Sequence, residues 1–439
     1  ALIKAFERVP SIRHKQLGKY LIGRHIDDCS DTIYEGVSEL RGGHNLTVKL
    51  SDGSLQITRF WEPQPIESEF QSEEDLLDKF ASLFEDAVRI RLRADVPVAI
   101  TLSGGIDSSA VTVAASRVSG NEISTFTSSF PDLKEIDESS FAASVAKAVG
   151  IKPQFIVPAL TEVVTDEKQL TLRQGAPYES LSLYVHWRIL AEIRKRQIPV
   201  VLSGQGGDEL FLGYERYVAG QLLSRLPNVF SMTSDLFSAG RNTNLGIFKH
   251  LGFLAYFSVP GMRWKRLCRT ARSVYHPDLL EGIEDCTNII SSNLFNLQKG
   301  ELLDGQLSRL LRYDDRTASA HGMETRLPFL DYRLVEFALG LPWAVKINGG
   351  WTKYLLRRYL ERHTPKEVAW RRNKLGFNAP QGKWTAALWE NGARRLFETP
   401  FAKTLLKPGL ELANIPTTKR WDVYSILHLA ELVGWEKCV

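Results

Sequence analysis

The stretch Val96-Pro-Val-Ala-Ile-Thr-Leu-Ser-Gly-Gly-Ile-Asp-Ser-Ser109 decides how the chain is read. Its first half, Val96 to Leu102, is almost wholly apolar, as a strand buried on both faces of a parallel sheet should be. Its second half, Ser103-Gly-Gly-Ile-Asp-Ser-Ser109, leads into a helical run from Ala110. Strand, glycine-rich turn and helix start together make a phosphate cradle. The glycines let the backbone approach an anion, and the helix start offers free N–H groups and a partial positive charge. Ser103, Ser108 and Ser109 add hydroxyl donors. Asp107 would repel a phosphate by itself but suits a Mg²⁺ ion bridging phosphates. No Gly-Lys-Ser/Thr follows, so this is not a Walker loop.

A second loop repeats the logic. Ile198 to Leu202 is another short apolar strand, followed by Ser203-Gly-Gln-Gly-Gly-Asp-Glu-Leu-Phe211. Both loops should open on the same edge of one sheet, which makes Asp208 a second carboxylate for the same metal. The simpler alternative is a pair of glycine turns with helix-capping side chains.

Working outward, Glu73 to Arg93 reads as an amphipathic helix capped by Ser72, with Leu76, Leu77, Phe80, Phe84, Ala87 and Val88 on one face. Ile123 to Phe130 reads as a strand and Phe141 to Val149 as a helix. Alternating strand and helix predicts an α/β, doubly wound parallel sheet with ligands at the strand C-termini. After about residue 215 the pattern is helical to the end. Before the Pro63 and Pro65 punctuation, the runs 45–50 and 55–60 flank Asp52-Gly53, a strong hairpin signal. These divisions give a small β-rich N-terminal unit over 1–66 and a main domain over 67–439. The short unit makes a poor core alone and should pack on the main domain.

The bulk composition excludes several classes. The net charge of +4 over 439 residues does not indicate a nucleic-acid binder. The clusters Arg263 to Arg266, Arg357-Arg358 and Arg371-Arg372 read as solvated surface. Four scattered cysteines lack zinc spacing and fit a reduced, cytoplasmic setting. No apolar run reaches a membrane span, and no membrane partner is expected. The sequence begins with Ala1, which reads as a fragment, a processed product or a trimmed chain.

The two loops resemble those of the asparagine synthetase family, the glutamine-hydrolysing branch of the PP-loop ATP pyrophosphatases. The first loop is shared across PP-loop enzymes. Ser203 to Tyr214, SGQGGDELFLGY, narrows the resemblance. Leu311 to Asp331, LRYDDRTASAHGMETRLPFLD, and Trp370 to Phe377, WRRNKLGF, are similar to helix-and-turn segments of the same family. The likeness runs from about residue 60 to about 390. It implies a PP-loop fold and a reaction in which ATP adenylates the aspartate side chain, pyrophosphate leaves and ammonia attacks. By motif match, Leu102, Ser103, Gly104, Gly105, Asp107, Ser108, Ser109, Ser203 and Gly204 should meet ATP. Asp107 and Asp208 should hold Mg²⁺, and Lys374 should neutralise charge at the reacting phosphate. Glu324, Arg326 and Asp331 read as structural, fixing the turn at Pro328 through buried ion pairs.

Two departures bear on the nitrogen source. Residues 1–62 resemble only the last part of the family's glutaminase domain, whose nucleophile is an N-terminal cysteine; Cys29 cannot take that part. Gln205 stands where familiar asparagine synthetases have a glutamate, and it cannot accept a proton. The expected partners are therefore a small-molecule or peptide carboxylate and ammonia or another amine. A homodimer, or a separate nitrogen-supplying or peptide-delivering protein, stays open. The alternatives are a relative using an internal amine, such as a lasso-peptide cyclase or β-lactam synthetase, and a non-catalytic nucleotide-binding homologue. Arg312 near the position of the β-lactam enzymes' glutamate disfavours that version.

Overall fold

A computed structural model describes residues 10–67, 69–119, 123–226, 228–259, 261–284, 290–372 and 378–435. Helix α1 (His14–Gly23) precedes an antiparallel hairpin of β1 (His44–Val48) and β2 (Leu55–Arg59), paired Val48 to Leu55 across the Asp52-Gly53 turn. Helix α2 (Glu73–Arg91) comes next. Its first turn is capped where Ser72 accepts from the Asp75 N–H at 3.1 Å, and the six apolar residues picked out by their spacing are all buried.

Strand and helix then alternate: β3 (Val98–Thr101), α3 (Ile106–Val118), β4 (Ser124–Ser128), α4 (Ser139–Ala148), β5 (Pro153–Ile156), α5 (Leu160–Gln174), α6 (Ser182–Lys195), β6 (Val200–Leu202) and the single turn α7 (Gly207–Leu210). Next come α8 (Tyr217–Ser224), α9 (Val229–Asn242), α10 (Ile247–Ser258), α11 (Met262–Arg272), α12 (Leu294–Leu303) and α13 (Gln306–Ala320). A further strand, β7 (Glu324–Arg326), is followed by α14 (Tyr332–Gly340).

The central sheet is parallel throughout, in the order β5-β4-β3-β6-β7. The chain starts in the middle, winds outward to β5, then crosses back to β6, so the winding direction reverses between β3 and β6. That switch point is where an open α/β sheet leaves a crevice beyond its strand ends. Both glycine-rich loops leave from these two strands. The α/β expectation holds, with one correction: the segment before Pro328 is not only helix and turn. Glu324-Thr-Arg326 joins the sheet as its fifth strand, with Val200 paired to Glu324. Three polar residues at a sheet edge carry no apolar alternation by which a strand is read.

An aromatic cluster fixes the second loop against α2. Phe84 stacks on Phe329 at 4.8 Å, and Phe80 meets Phe211 edge-on at 5.4 Å. The N-terminal segment also joins the main core: Leu17, Tyr20 and Leu21 are buried, and Arg24 pairs with buried Asp422 at 2.6 Å. No helix among the described residues is long and apolar enough to cross a membrane.

The residues around Pro328 divide in two. Asp331 is buried, caps α14 through the Arg333 N–H, and accepts from Arg91 and Arg333 at 3.0 and 2.9 Å. Glu324 instead lies exposed at the start of β7, paired with Arg326 at 2.8 Å. Burial opposes the Asp331 charge, but the bonds from Arg333 and Arg91 outweigh it and hold the carboxyl at about 2. A depressed carboxylate pKa stabilises the fold above the unfolded value, and that contribution disappears as pH falls through about 2. Asp331→Asn keeps the cap and removes the charge. It should cost roughly 1–2 kcal/mol at neutral pH, measured by urea unfolding, and flatten the acid limb of the stability profile.

Candidate active site

The first loop is pinned by its own serines. Ser108 Oγ accepts from the Ser103 N–H at 3.1 Å and lies 3.0 Å from Ser103 Oγ, which accepts from the Gly105 N–H at 3.2 Å. Gly104 has φ +77°, and a Cβ there would lie 2.7 Å from the Ala142 nitrogen, so only glycine fits. Gly105 begins α3 with no side-chain cap, leaving the helix N-terminus to an external acceptor.

The second loop closes on the first. A Cβ at Gly204 would lie 2.7 Å from the Ser108 nitrogen, and one at Gly207 would collide with the Asp107 carboxylate. This contact brings Asp107 and Asp208 together. Between them lies a residue that no sequence motif singles out. Lys353 Nζ donates to Asp107 Oδ2 and lies 2.7 Å from Asp208 Oδ1. Its side chain is 4% exposed. Burial acts to lower the Lys353 pKa, but Asp107 and Asp208 outweigh it and raise it above the ordinary lysine value. Lys353 takes a left-handed φ of 54° just before the helix Tyr354–Glu361, which aims its side chain from an unusual backbone position.

A cavity of about 370 Å³ opens over this cluster. Ser103, Gly105, Asp107, Ser108, Ser203, Gly204, Gln205 and Asp208 line it. Leu102, Gly104 and Ser109 do not: Ser109 is fully buried, and Leu102 bonds β4 through its N–H to Phe126 at 2.9 Å. Lys374 lies outside the described residues. The lining also includes Ser182 and His186 of α6 and Tyr313 and Asp314 of α13, with His186 Nε2 2.7 Å from Asp314 Oδ1.

The arginine clusters need correction. Arg357 and Arg371 are not solvated surface; each is 6% exposed and both line the cavity. Arg371 donates to the Gly104 carbonyl at 2.7 Å and pairs with buried Glu138. Arg357 donates to the carbonyls of Thr352, Ala369 and Arg371 at 2.7–2.9 Å, and burial, with Arg371 nearby, lowers its pKa to about 10. Arg358, its neighbour, faces solvent and pairs with Glu73 and Glu74 at 3.2 Å. Helical phase separates the two, and two adjacent arginines do not reveal which one turns inward. Arg312, by contrast, is engaged with Asp27 at 2.6 Å.

The asparagine synthase family profile matches residues 79–410, and the chain belongs to that family. A Mycobacterium tuberculosis protein provisionally named a glutamine-hydrolysing asparagine synthetase is 29% identical, over 86% of this chain and 59% of its own length. Asparagine synthetase [glutamine-hydrolyzing] 1 of Bacillus subtilis is 27% identical over 85% and 60%. Amidase chry2 of Gibberella zeae is 26% identical over 81% and 60%. The chain thus spans about 60% of the length of these three relatives.

Removing Lys353 would leave two facing carboxylates without their shared cation. Lys353→Met should lower stability by about 3–5 kcal/mol in the absence of divalent ions. Added Mg²⁺ should raise its thermal midpoint more than that of the unaltered chain. Equal Mg²⁺ shifts in both would show that the carboxylates do not form a shared cation site.

Proposed function

We propose that this chain is an ATP-dependent amide-forming ligase. It adenylates a carboxylate, with the aspartate side chain as first choice, and then transfers nitrogen to give asparagine. The observation that carries this reading is the convergence of Asp107 and Asp208 on one buried cation at the switch point, beside an uncapped helix start. Membership of the asparagine synthase family supports it.

The cavity suits a nucleotide triphosphate. The Gly105 end of α3 offers backbone donors, and Lys353, Arg357, Arg371 and Arg372 line the same space. Asp107 and Asp208 fit Mg²⁺, because both are hard oxygen donors already gathered around the Lys353 ammonium. The ion, when bound, supplies charge neutralisation at the phosphates. An oxygen of the substrate carboxylate attacks the α-phosphorus, and the bond to the bridging oxygen breaks as pyrophosphate leaves. An amine then attacks the acyl carbon, AMP departs, and the amine gives up a proton. Preorganised cations stabilise the charge gathering on pyrophosphate, and Lys374 is assigned to the same task by its motif. Gln205 lines the cavity and can orient the amine by hydrogen bonding. A cytoplasmic location, with ATP at hand, goes with this activity.

Gln205 also favours a second reading, in which the nucleophile is an amine of the substrate itself. Its side chain takes no proton, so it brings no base of its own for an incoming ammonium ion. A relative named as an amidase accords with a family not confined to one acceptor.

With ATP, Mg²⁺, aspartate and ammonium, the chain should release pyrophosphate and AMP in equal amounts. Release that ignores aspartate but requires a peptide acid would select the second reading. Absence of nucleotide binding would overturn both. Asp107→Asn should reduce pyrophosphate release by about 100-fold or more, with an unchanged circular dichroism spectrum.

A further inference from the structure

Helices α9 and α10 both pack on the buried helix α8. Leu236 and Ala239 of α9 cluster with Val218 and Leu222 of α8, with Ile247 and Leu254 of α10 against them. Their outer faces therefore look away from the same support, and they are apolar. On α9, Phe230 is 86% exposed and Phe237, two turns later, 60%. On α10, Phe248 is 90% exposed, and Leu251, Gly252, Ala255, Ser258 and Val259 continue a mainly apolar outer face that also carries exposed Lys249. Met262 extends it to the start of α11.

The flank is cationic. Lys265, Arg269 and Arg272 are exposed at helical spacing on α11. Arg263 and Arg266 lie over the Phe257 and Tyr256 rings of α10 at 5.2 and 5.6 Å, which joins the basic helix to the apolar one. Residues 228–273 hold seven Lys and Arg against one acid, Asp235, which Arg225 pairs at 2.8 Å. The net charge of this segment, +6, exceeds the +4 of the whole chain.

Exposed aromatic side chains beside exposed cations match one kind of surface, a layer that is both oily and anionic. A symmetric contact with a second copy would set like charges against each other. We propose that α9, α10 and α11 dock this protein reversibly on an anionic lipid surface, with the phenylalanines in the headgroup boundary and α11 on lipid phosphates. Adsorption of this kind needs no spanning segment. Helix α9 ends at Asn242, which lines the cavity, so docking would hold the active site close to the lipid.

Vesicle co-sedimentation tests this. The intact chain should bind phosphatidylcholine vesicles containing about 30% phosphatidylglycerol, and release in high salt. It should not bind pure phosphatidylcholine. Changing Lys265, Arg269 and Arg272 together to Gln should weaken binding roughly 100-fold. Phe248→Ser with Leu251→Ser should weaken it about 10-fold or more. All five residues are exposed, so thermal midpoints should stay near that of the parent. No binding to anionic vesicles, or binding that neither variant weakens, overturns the proposal. Retention on polyglutamate without vesicle binding overturns it in favour of an acidic protein. Self-association lost in the Phe248/Leu251 variant, without vesicle binding, overturns it in favour of a second copy.

Discussion

Two carboxylates from different strand ends cannot share a buried space without a positive charge between them. Asp107 and Asp208 meet that condition through Lys353, and much of the site's construction results from it. The glycines at 204 and 207 are needed because the second loop must touch Asp107. Gly213 is needed because a Cβ there would lie 1.8 Å from Asp208 Oδ1 and 2.0 Å from the Lys353 side chain. The cluster is thus a close-packed electrostatic unit in which neither loop can shift alone.

The unit is held from behind by apolar packing. Phe211 closes the second loop and sits in the aromatic cluster with Phe80 of α2, while Phe84 stacks on Phe329. The buried Asp331 network ties the same turn to α2 through Arg91. The crevice at the switch point is thus backed by aromatic packing and a buried ion pair, the kind of support that preorganised charge stabilisation requires. Just beyond, buried Glu209 accepts from the Tyr214 hydroxyl at 3.0 Å; burial, with Asp208 beside it, pushes its carboxyl up to about 7. Its negative charge is thereby disfavoured beside Asp107 and Asp208, which share Lys353.

Legibility in the sequence tracks how local each feature is. The two loops are readable because a buried strand, glycines and a helix start lie consecutively in the chain. Asp107 and Asp208 are readable for the same reason. Strand β7 is not, since three polar edge residues have no pattern of their own. Arg357 and Arg371 look like surface charge in the sequence, because only the fold shows that these two are buried against the cavity.

The sequence by itself determined a parallel α/β core, its two glycine-rich turns and the pair of acids they carry. Each of these depends on neighbours within a few residues, where periodicity and turn chemistry act directly. Tertiary structure decided that the acids meet, that Lys353 is the cation between them, and that Arg357 and Arg371 stand over the same cavity. The physical reason is that pairing of buried charge depends on distance in space. Lys353 reaches the acids from a distant helix start in a left-handed backbone conformation, which no local pattern of residues records.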